Sequence, residues 1–183
     1  MLRVTAGALR GKKLEVPDSC ARPTLSRVRQ SLMNILQTRI PGARVLDLFA
    51  GSGAFAIECL SRGAAEAALC DSSAAAVKTV RKNLAACNLD AKVLHMDCLR
   101  AIGLLAKDNQ RFEIIYLDPP YGQGLALSAL TLALQSGLLA EGGAAVCELP
   151  SDGGEEISAP DGFEIFDVRR YGVAALYFIR RQI

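Results

Sequence analysis

From residue 44 onward the sequence repeats one arrangement: a short apolar run without polar alternation, then a stretch whose apolar residues recur every three or four positions. The runs are "RVLDLF", "EAALCD", "KVLHM", "FEIIYL" and "GAAVCEL". Between them lie a helix opening at Ala54, then "SAAAVKTVRKNLAAC", "CLRAIGLLA" and "LALSALTLALQ". Strands that are apolar throughout are covered on both faces, and helical crossovers are what parallel neighbours require. The pattern predicts an α/β fold with a mostly parallel, doubly wound sheet. The end departs from it. "FEIFDVRRYGVAALYFIRR" offers two strand-like runs joined at "YG" with no helix between them, which predicts an antiparallel hairpin closing one edge. Residues 151–162, rich in Gly, Ser, Glu and Asp, read as the exposed loop before it.

Residues 1–40 read differently. "LRVTA" and "KKLEV" alternate as strands around "GALRG", whose glycines tolerate a tight turn. After the polar loop "PDSCARPT", Val28, Leu32, Ile35 and Leu36 recur at helical spacing while Arg27, Arg29 and Gln30 fall elsewhere, and Pro41-Gly42 ends the helix. The segment holds eight Lys/Arg against Glu15 and Asp18, a net of +6, which leaves −4 for the remaining 143 residues. Clustered positive charge at one end points to a polyanionic partner. The division expected is a basic appendage over 1–40, made of a β-hairpin, a loop and a helix, and a main domain over 41–183.

With 183 residues and 51% hydrophobic content, the chain can bury a substantial core. Its apolar stretches are interrupted well short of the ~20 residues that cross a bilayer, and "MLRVTAGALRGKK" lacks the apolar centre of a signal peptide. A soluble cytoplasmic protein with no membrane association is expected. The six cysteines (Cys20, Cys59, Cys70, Cys87, Cys98, Cys147) form no C-x-x-C pair and sit mostly in apolar patterns, as reduced core thiols do. His95 and Cys98 are too few to build a zinc site, so no metal is expected.

In an open doubly wound sheet the ligand lies beyond the carboxyl ends of the strands. The residues there are "DLFAGSG", "CDSS", "MDC" and "DPPY", with Asp47, Asp71, Asp97 and Asp118 at the first four strand ends. Gly51 and Gly53 let the backbone approach a ligand where a helix begins. With Ala56 they satisfy G-x-G-x-x-G/A, and Asp71 follows at the distance of a ribose-binding acid, so a nicotinamide or flavin site is a competing reading. Asp47 argues against it. It would crowd a pyrophosphate but suits an ammonium, while the helix N-terminus suits a carboxylate. An amino-acid end, a ribose for Asp71 and an adenine amine for Asp97 together describe S-adenosylmethionine. Each aspartate also stands where a helix N-cap would, Asp97 most plainly.

Asp118-Pro119-Pro120-Tyr121 ends the fourth run. The prolines fix the backbone so that the Asp118 carboxylate and the Pro119 carbonyl converge, and two acceptors can hold both hydrogens of an exocyclic amine while Tyr121 stacks on its base. Such an amine is a poor nucleophile, and orienting its lone pair toward a methyl donor is a large catalytic lever. Guanine and adenine are not separated by these four residues.

These motifs resemble those of the Rossmann-like class I methyltransferases, and specifically of the bacterial small-subunit ribosomal RNA guanine-N2 methyltransferases of the RsmD type. The resemblance rests on "RVTAGALRGKKLEVP", "RPTLSRVRQSLMNIL", "VLDLFAGSGAFAIECLSRGA", "DPPY" and "YGVAALYF" in that order. It implies methyl transfer from S-adenosylmethionine, leaving S-adenosylhomocysteine, to the N2 amine of a guanosine in 16S ribosomal RNA. The partner would be that RNA or a small-subunit assembly intermediate, met by a monomer. It implies Asp118, Pro119 and Tyr121 at the target amine. Asp47, Phe49, Gly51, Gly53, Asp71, Asp97, Cys98 and Asp118 would form the cofactor site, and Arg10, Lys12, Lys13, Arg22, Thr24, Arg27 and Arg29 the RNA contacts. Glu58 is expected in a structural or solvated role. Two other readings stand beside this one: an adenine-N6 methyltransferase on DNA or RNA, and a non-catalytic RNA-binding assembly factor.

Overall fold

In the computed structural model, the described residues are 2–17, 26–120, 124–151 and 157–182. Cys20, Arg22, Thr24 and Tyr121 lie outside them. The elements are β1 (Leu2–Arg3), β2 (Lys13–Leu14), α1 (Ser26–Leu36), β3 (Arg44–Asp47), α2 (Ala54–Ser61), β4 (Glu66–Asp71) and α3 (Ala74–Cys87). They continue as β5 (Lys92–His95), α4 (Cys98–Lys107), β6 (Phe112–Leu117), α5 (Leu125–Gln135), β7 (Leu139–Pro150), β8 (Phe163–Tyr171) and β9 (Ala174–Arg181).

β1 and β2 pair only with each other, and the other seven strands form one sheet in the order β5-β4-β3-β6-β7-β9-β8. β3 through β7 are mutually parallel, while β9 is antiparallel to both β7 and β8. The chain places β4 and β5 on one side of β3 and then crosses to start β6 on the other. The crevice between β3 and β6 is therefore the topological switch point, where such sheets bind ligands.

Side chains alternate between the two faces. Leu46, Ile115, Leu117 and Cys147 enter a core with α4 and α5 residues such as Ile102 and Leu130. Val45, Ile114, Tyr116 and Val146 enter the opposite core with Val28, Leu32 and Met33 of α1 and Phe55 of α2. The N-terminal segment is thus built into the main core: α1 covers one face of the sheet, and Val4 and Leu14 pack with Ala56, Ile57, Leu69 and Val80.

Glu58 of α2, 1% exposed, holds the N-terminal hairpin in place. It accepts hydrogen bonds from Thr5 N at 2.8 Å, Thr5 Oγ1 at 2.6 Å and Ala6 N at 3.0 Å, and Arg62 Nε donates to it at 3.0 Å. One helical turn on, Ser61 Oγ donates to Ala6 O at 2.7 Å and accepts from Leu9 N at 2.9 Å. Gly7 has φ +80°, and a Cβ there would stand 1.8 Å from Ser61 O, so no other residue fits this docking. Of the structural or solvated role expected for Glu58, the structure shows the first: it is buried and hydrogen-bonded, not solvated.

Candidate active site

The carboxyl ends of β3, β6 and β7 bring an acidic group together on the face that α1 and α2 cover. Val45, Tyr116 and Val146 point to that face, so Asp47 and Glu148, each two residues beyond a facing valine, point there too. Asp47 and Tyr116 are register partners across β3 and β6. Leu117, the last residue of β6, pairs with Cys147, and the residues that follow them in the chain are Asp118 and Glu148. Tyr116 Oη donates to Glu148 Oε2 at 2.7 Å, and the Tyr116 ring stacks on Phe55 with centroids 4.2 Å apart.

Asp47 is 1% exposed and its Oδ1 accepts from Phe49 N at 3.3 Å. Burial pushes its carboxyl up to about 8; the bond from Phe49 opposes this, and the nearby Asp118 and Asp71 add to it. Glu148, 3% exposed, is also pushed up to about 8, by burial and then by Asp118, against the hydrogen bond from Tyr116. Burial raises the Tyr116 phenol as well, with Asp118 and Glu148 contributing. Buried carboxylates repelling one another favour a cationic ligand, because a positive charge restores the ionised form.

The glycine turn lies beside this group. Ala50 N donates to Cys70 O at 2.9 Å, and Gly51 N donates to Asp71 Oδ2 at 2.8 Å, which fastens the turn to the end of β4. Gly53 caps α2 at φ 77° with no side-chain cap, so the first N–H groups of α2 face the crevice without a side-chain acceptor. A Cβ on Gly53 would meet Leu69 at 3.3 Å and Val80 at 3.4 Å, a second reason for glycine.

The remaining strand-end residues divide by local role. Asp71 is not a helix cap: its Oδ1 accepts from Ser73 N at 2.8 Å, and Ser73 caps α3. Half-buried, it keeps further lone pairs for a ligand. Asp97 is the N-cap of α4, with Oδ1 accepting from Arg100 N at 2.9 Å. Cys98 opens α4 with its side chain in the core, and burial followed by Asp97 raises its thiol. Phe49 is half-buried at the end of β3. Asp118 is half-buried, Pro119 buried and Pro120 exposed.

The basic residues scatter more than their spacing suggested. Arg10, Lys12, Lys13 and Arg27 are exposed. The β1–β2 turn docks at Ser61, the last residue of the eight-residue α2, roughly 12 Å of helix rise from the glycine turn. Arg29 corrects the expectation that it lies off the apolar face: it is 7% exposed, and its Nη2 donates to Arg3 O at 3.1 Å. Burial lowers its pKa while Glu58 and Tyr116 raise it, so this guanidinium faces inward rather than toward an RNA phosphate. Glu148 was missed, although "GAAVCELP" carried its signal: a fifth strand ending in an acid, like the four before it.

Among the described residues, no three His, Cys, Asp or Glu side chains are grouped to hold a metal ion. No described helix is long and apolar enough to cross a membrane.

The chain matches the family described as Conserved hypothetical protein 95 over residues 2–180. It is 40% identical over 142 residues to the ribosomal RNA small subunit methyltransferase D of Escherichia coli K12, covering 76% of this chain and 70% of that protein. The solved Escherichia coli structure of yhhF superposes with a TM-score of 0.87 at 33% identity, over 100% of this chain and 98% of that one. A hypothetical protein from Thermus thermophilus gives a TM-score of 0.84 at 34% identity, over 97% and 98%.

Proposed function

The chain belongs to the Conserved hypothetical protein 95 family, and to the ribosomal RNA small subunit methyltransferase D type within it; on that premise we propose that it methylates small-subunit ribosomal RNA with S-adenosylmethionine, at the exocyclic N2 amine of a guanosine. The observation that carries the proposal is the convergence of Asp47, Tyr116, Asp118 and Glu148 beside an uncapped helix N-terminus at the switch point of the sheet.

These residues fit the cofactor. The buried Asp47 carboxyl, raised by burial and like charges, suits an ammonium group. The N–H groups that open α2 suit a carboxylate, and Asp71, already fixed by Gly51 and Ser73, suits ribose hydroxyls. Asp97, Cys98 and Phe49 complete the adenosine end. When bound, S-adenosylmethionine supplies an electrophilic methyl group.

Asp118 and the Pro119 carbonyl hold the two amine hydrogens, with Tyr121 stacked on the base. As the nitrogen gains a methyl group it becomes positive and must lose a proton. The Asp118 carboxyl stabilises that charge and stands where the proton leaves. Tyr116 and Glu148 fix the polar floor of the crevice beside it.

The exposed Arg10, Lys12, Lys13 and Arg27, with Arg22 and Thr24, contact RNA phosphates and position the substrate without reading its sequence. The substrate is a partly assembled small subunit, met in the cytoplasm by a monomeric enzyme with no metal. Labelled methyl transfer to unmodified small-subunit particles, followed by nucleoside analysis, tests this. N2-methylguanosine is expected. N6-methyladenosine as the sole product would move the target to adenine, and RNA binding without S-adenosylmethionine binding would leave an assembly factor.

A further inference from the structure

The "YGVAALYF" segment takes no part in the chemistry above, yet the topology carries it to the same edge. β9 runs antiparallel to β7, so its first residue, Ala174, pairs with Pro150 at the end of β7 and with Tyr171 at the end of β8. The β8–β9 turn therefore stands at the sheet edge that bears Asp47, Asp118 and Glu148. Two contacts fix it from opposite sides. The Tyr171 hydroxyl shares a hydrogen bond with Ser31 Oγ of α1, and Ser151 N donates to Val173 O at 3.1 Å.

α1 leads to the same place. The segment that follows it is tied to β7, where Arg39 Nη1 donates to Gly142 O at 2.8 Å, and Ser31 in the middle of the helix meets Tyr171. Arg27 lies one helical turn before Ser31 and is exposed.

The arginines of the hairpin differ by end. Far from the site, Arg180 is paired with Glu164 at 2.7 Å and lies over Phe166, and Arg181 lies over Phe163. At the site end, Arg169 is exposed and shares Asp167 at 2.9 Å, and the exposed Arg170 has no ion pair among the described residues. Arg169 pairs with Leu176 and Arg170 with Ala175, so the two project from opposite faces of the hairpin. Val173 at the tip is 62% exposed, the most exposed large hydrophobic among the described residues.

We propose that the β8–β9 turn is a second docking surface for the RNA substrate, a strand passing over its tip, with Arg169 on the α1 side and Arg170 on the opposite side each meeting a phosphate, Val173 against a ribose or an unstacked base, and Arg27 continuing the Arg169 side across α1. This rests on the reading of RNA as the substrate. A positively charged turn with an apolar tip, held at the active-site edge by its bonds to Ser31 and Ser151, matches the charge and exposed base faces of a splayed RNA strand.

The test measures RNA affinity of the full-length chain across a salt series, with S-adenosylmethionine affinity and thermal stability as controls. Replacing Arg169 and Arg170 together by Gln should flatten the slope of log K against log salt by roughly 1.5, since each lost phosphate contact removes about 0.7–0.9. KM for the unmodified particle should rise on the order of tenfold, and cofactor affinity should hold. Val173→Ser should weaken binding without changing the slope. Arg180→Gln, at the far end, should leave binding unchanged. An unchanged slope in the double variant, or an equal loss in Arg180→Gln, overturns the proposal. So does weaker binding to whole particles with unchanged binding to bare RNA, which would make the partner a protein. If the wild-type chain transfers no methyl group to the particle, the proposed function fails, and the slope still reports on this surface separately.

Discussion

Tyr116 donates its hydroxyl hydrogen to Glu148 at 2.7 Å, and each stands within two residues, along its strand or across the register, of Asp118. A phenol and a carboxyl, both buried, are thus each other's polar partner in the floor of the crevice. Removing either leaves the other without it, which costs about 1–3 kcal/mol for a buried polar group.

Glu148→Gln keeps an acceptor for Tyr116 and removes the group that can ionise, whereas Glu148→Ala removes both. The alanine variant should lose about 1–3 kcal/mol in urea denaturation and the glutamine variant less. Both should slow methyl transfer, on the order of tenfold, with a smaller change in S-adenosylmethionine affinity. A glutamine variant with full turnover would limit Glu148 to a packing role.

Asp118→Ala should reduce turnover by about 10²–10⁴, the range for loss of a positioned acid–base group. It should spare cofactor binding more than Asp47→Ala does, because the fully buried Asp47 is the group proposed to meet the ammonium end. Calorimetric titration with S-adenosylhomocysteine separates the two. Equal losses of affinity would overturn this division of roles.

The raised carboxyl of Asp47, at about 8 in the free protein, predicts a proton-linked binding event. At neutral pH the group is mostly protonated, and an ammonium beside it favours the carboxylate, so binding lowers the pKa and releases a proton. Affinity should therefore rise with pH through neutrality and level off near pH 8. Titrations in buffers of different ionisation enthalpy should show proton release, absent in Asp47→Asn. The same sign governs stability: a carboxyl protonated in the fold but not in the unfolded chain makes the free protein less stable as pH rises from about 4 toward 8.

Glu58→Ala should destabilise the protein by roughly 3 kcal/mol, since it leaves Arg62 and the Thr5 and Ala6 amides without their buried acceptor. Thermal denaturation reads the loss. Partial proteolysis should cut first within the β1–β2 hairpin, which this carboxylate ties down.

The framework was legible because it depends on local periodicity. Ala54 opens α2, Glu66–Asp71 and Phe112–Leu117 are strands with the bounds their apolar runs have, and the terminal hairpin pairs as expected. That Asp47, Gly53 and Asp118 come together was legible because strand ends converge at a switch point whatever the side chains. Arg29 was not, because helical spacing shows which residues share a stripe but not that Glu58 and the Arg3 carbonyl wait on the neighbouring side. Nor was the distance of Arg10 from the site, since the docking of the β1–β2 turn at Ser61 is a contact across more than fifty residues of chain. Phe55 stacking on Tyr116 is of the same kind.

The strand order has one more consequence. β9 occupies the slot between β7 and β8 although β8 precedes it in the chain. During synthesis β8 has no edge to join until β9 has been made, and Glu148 on β7 lacks its lateral neighbour, Leu176, for the same interval. The crevice is thus finished late, by a pairing that reaches back past an earlier strand. A nascent chain halted after β8 should hold the glycine turn in place while the β7 side of the crevice still lacks its neighbour.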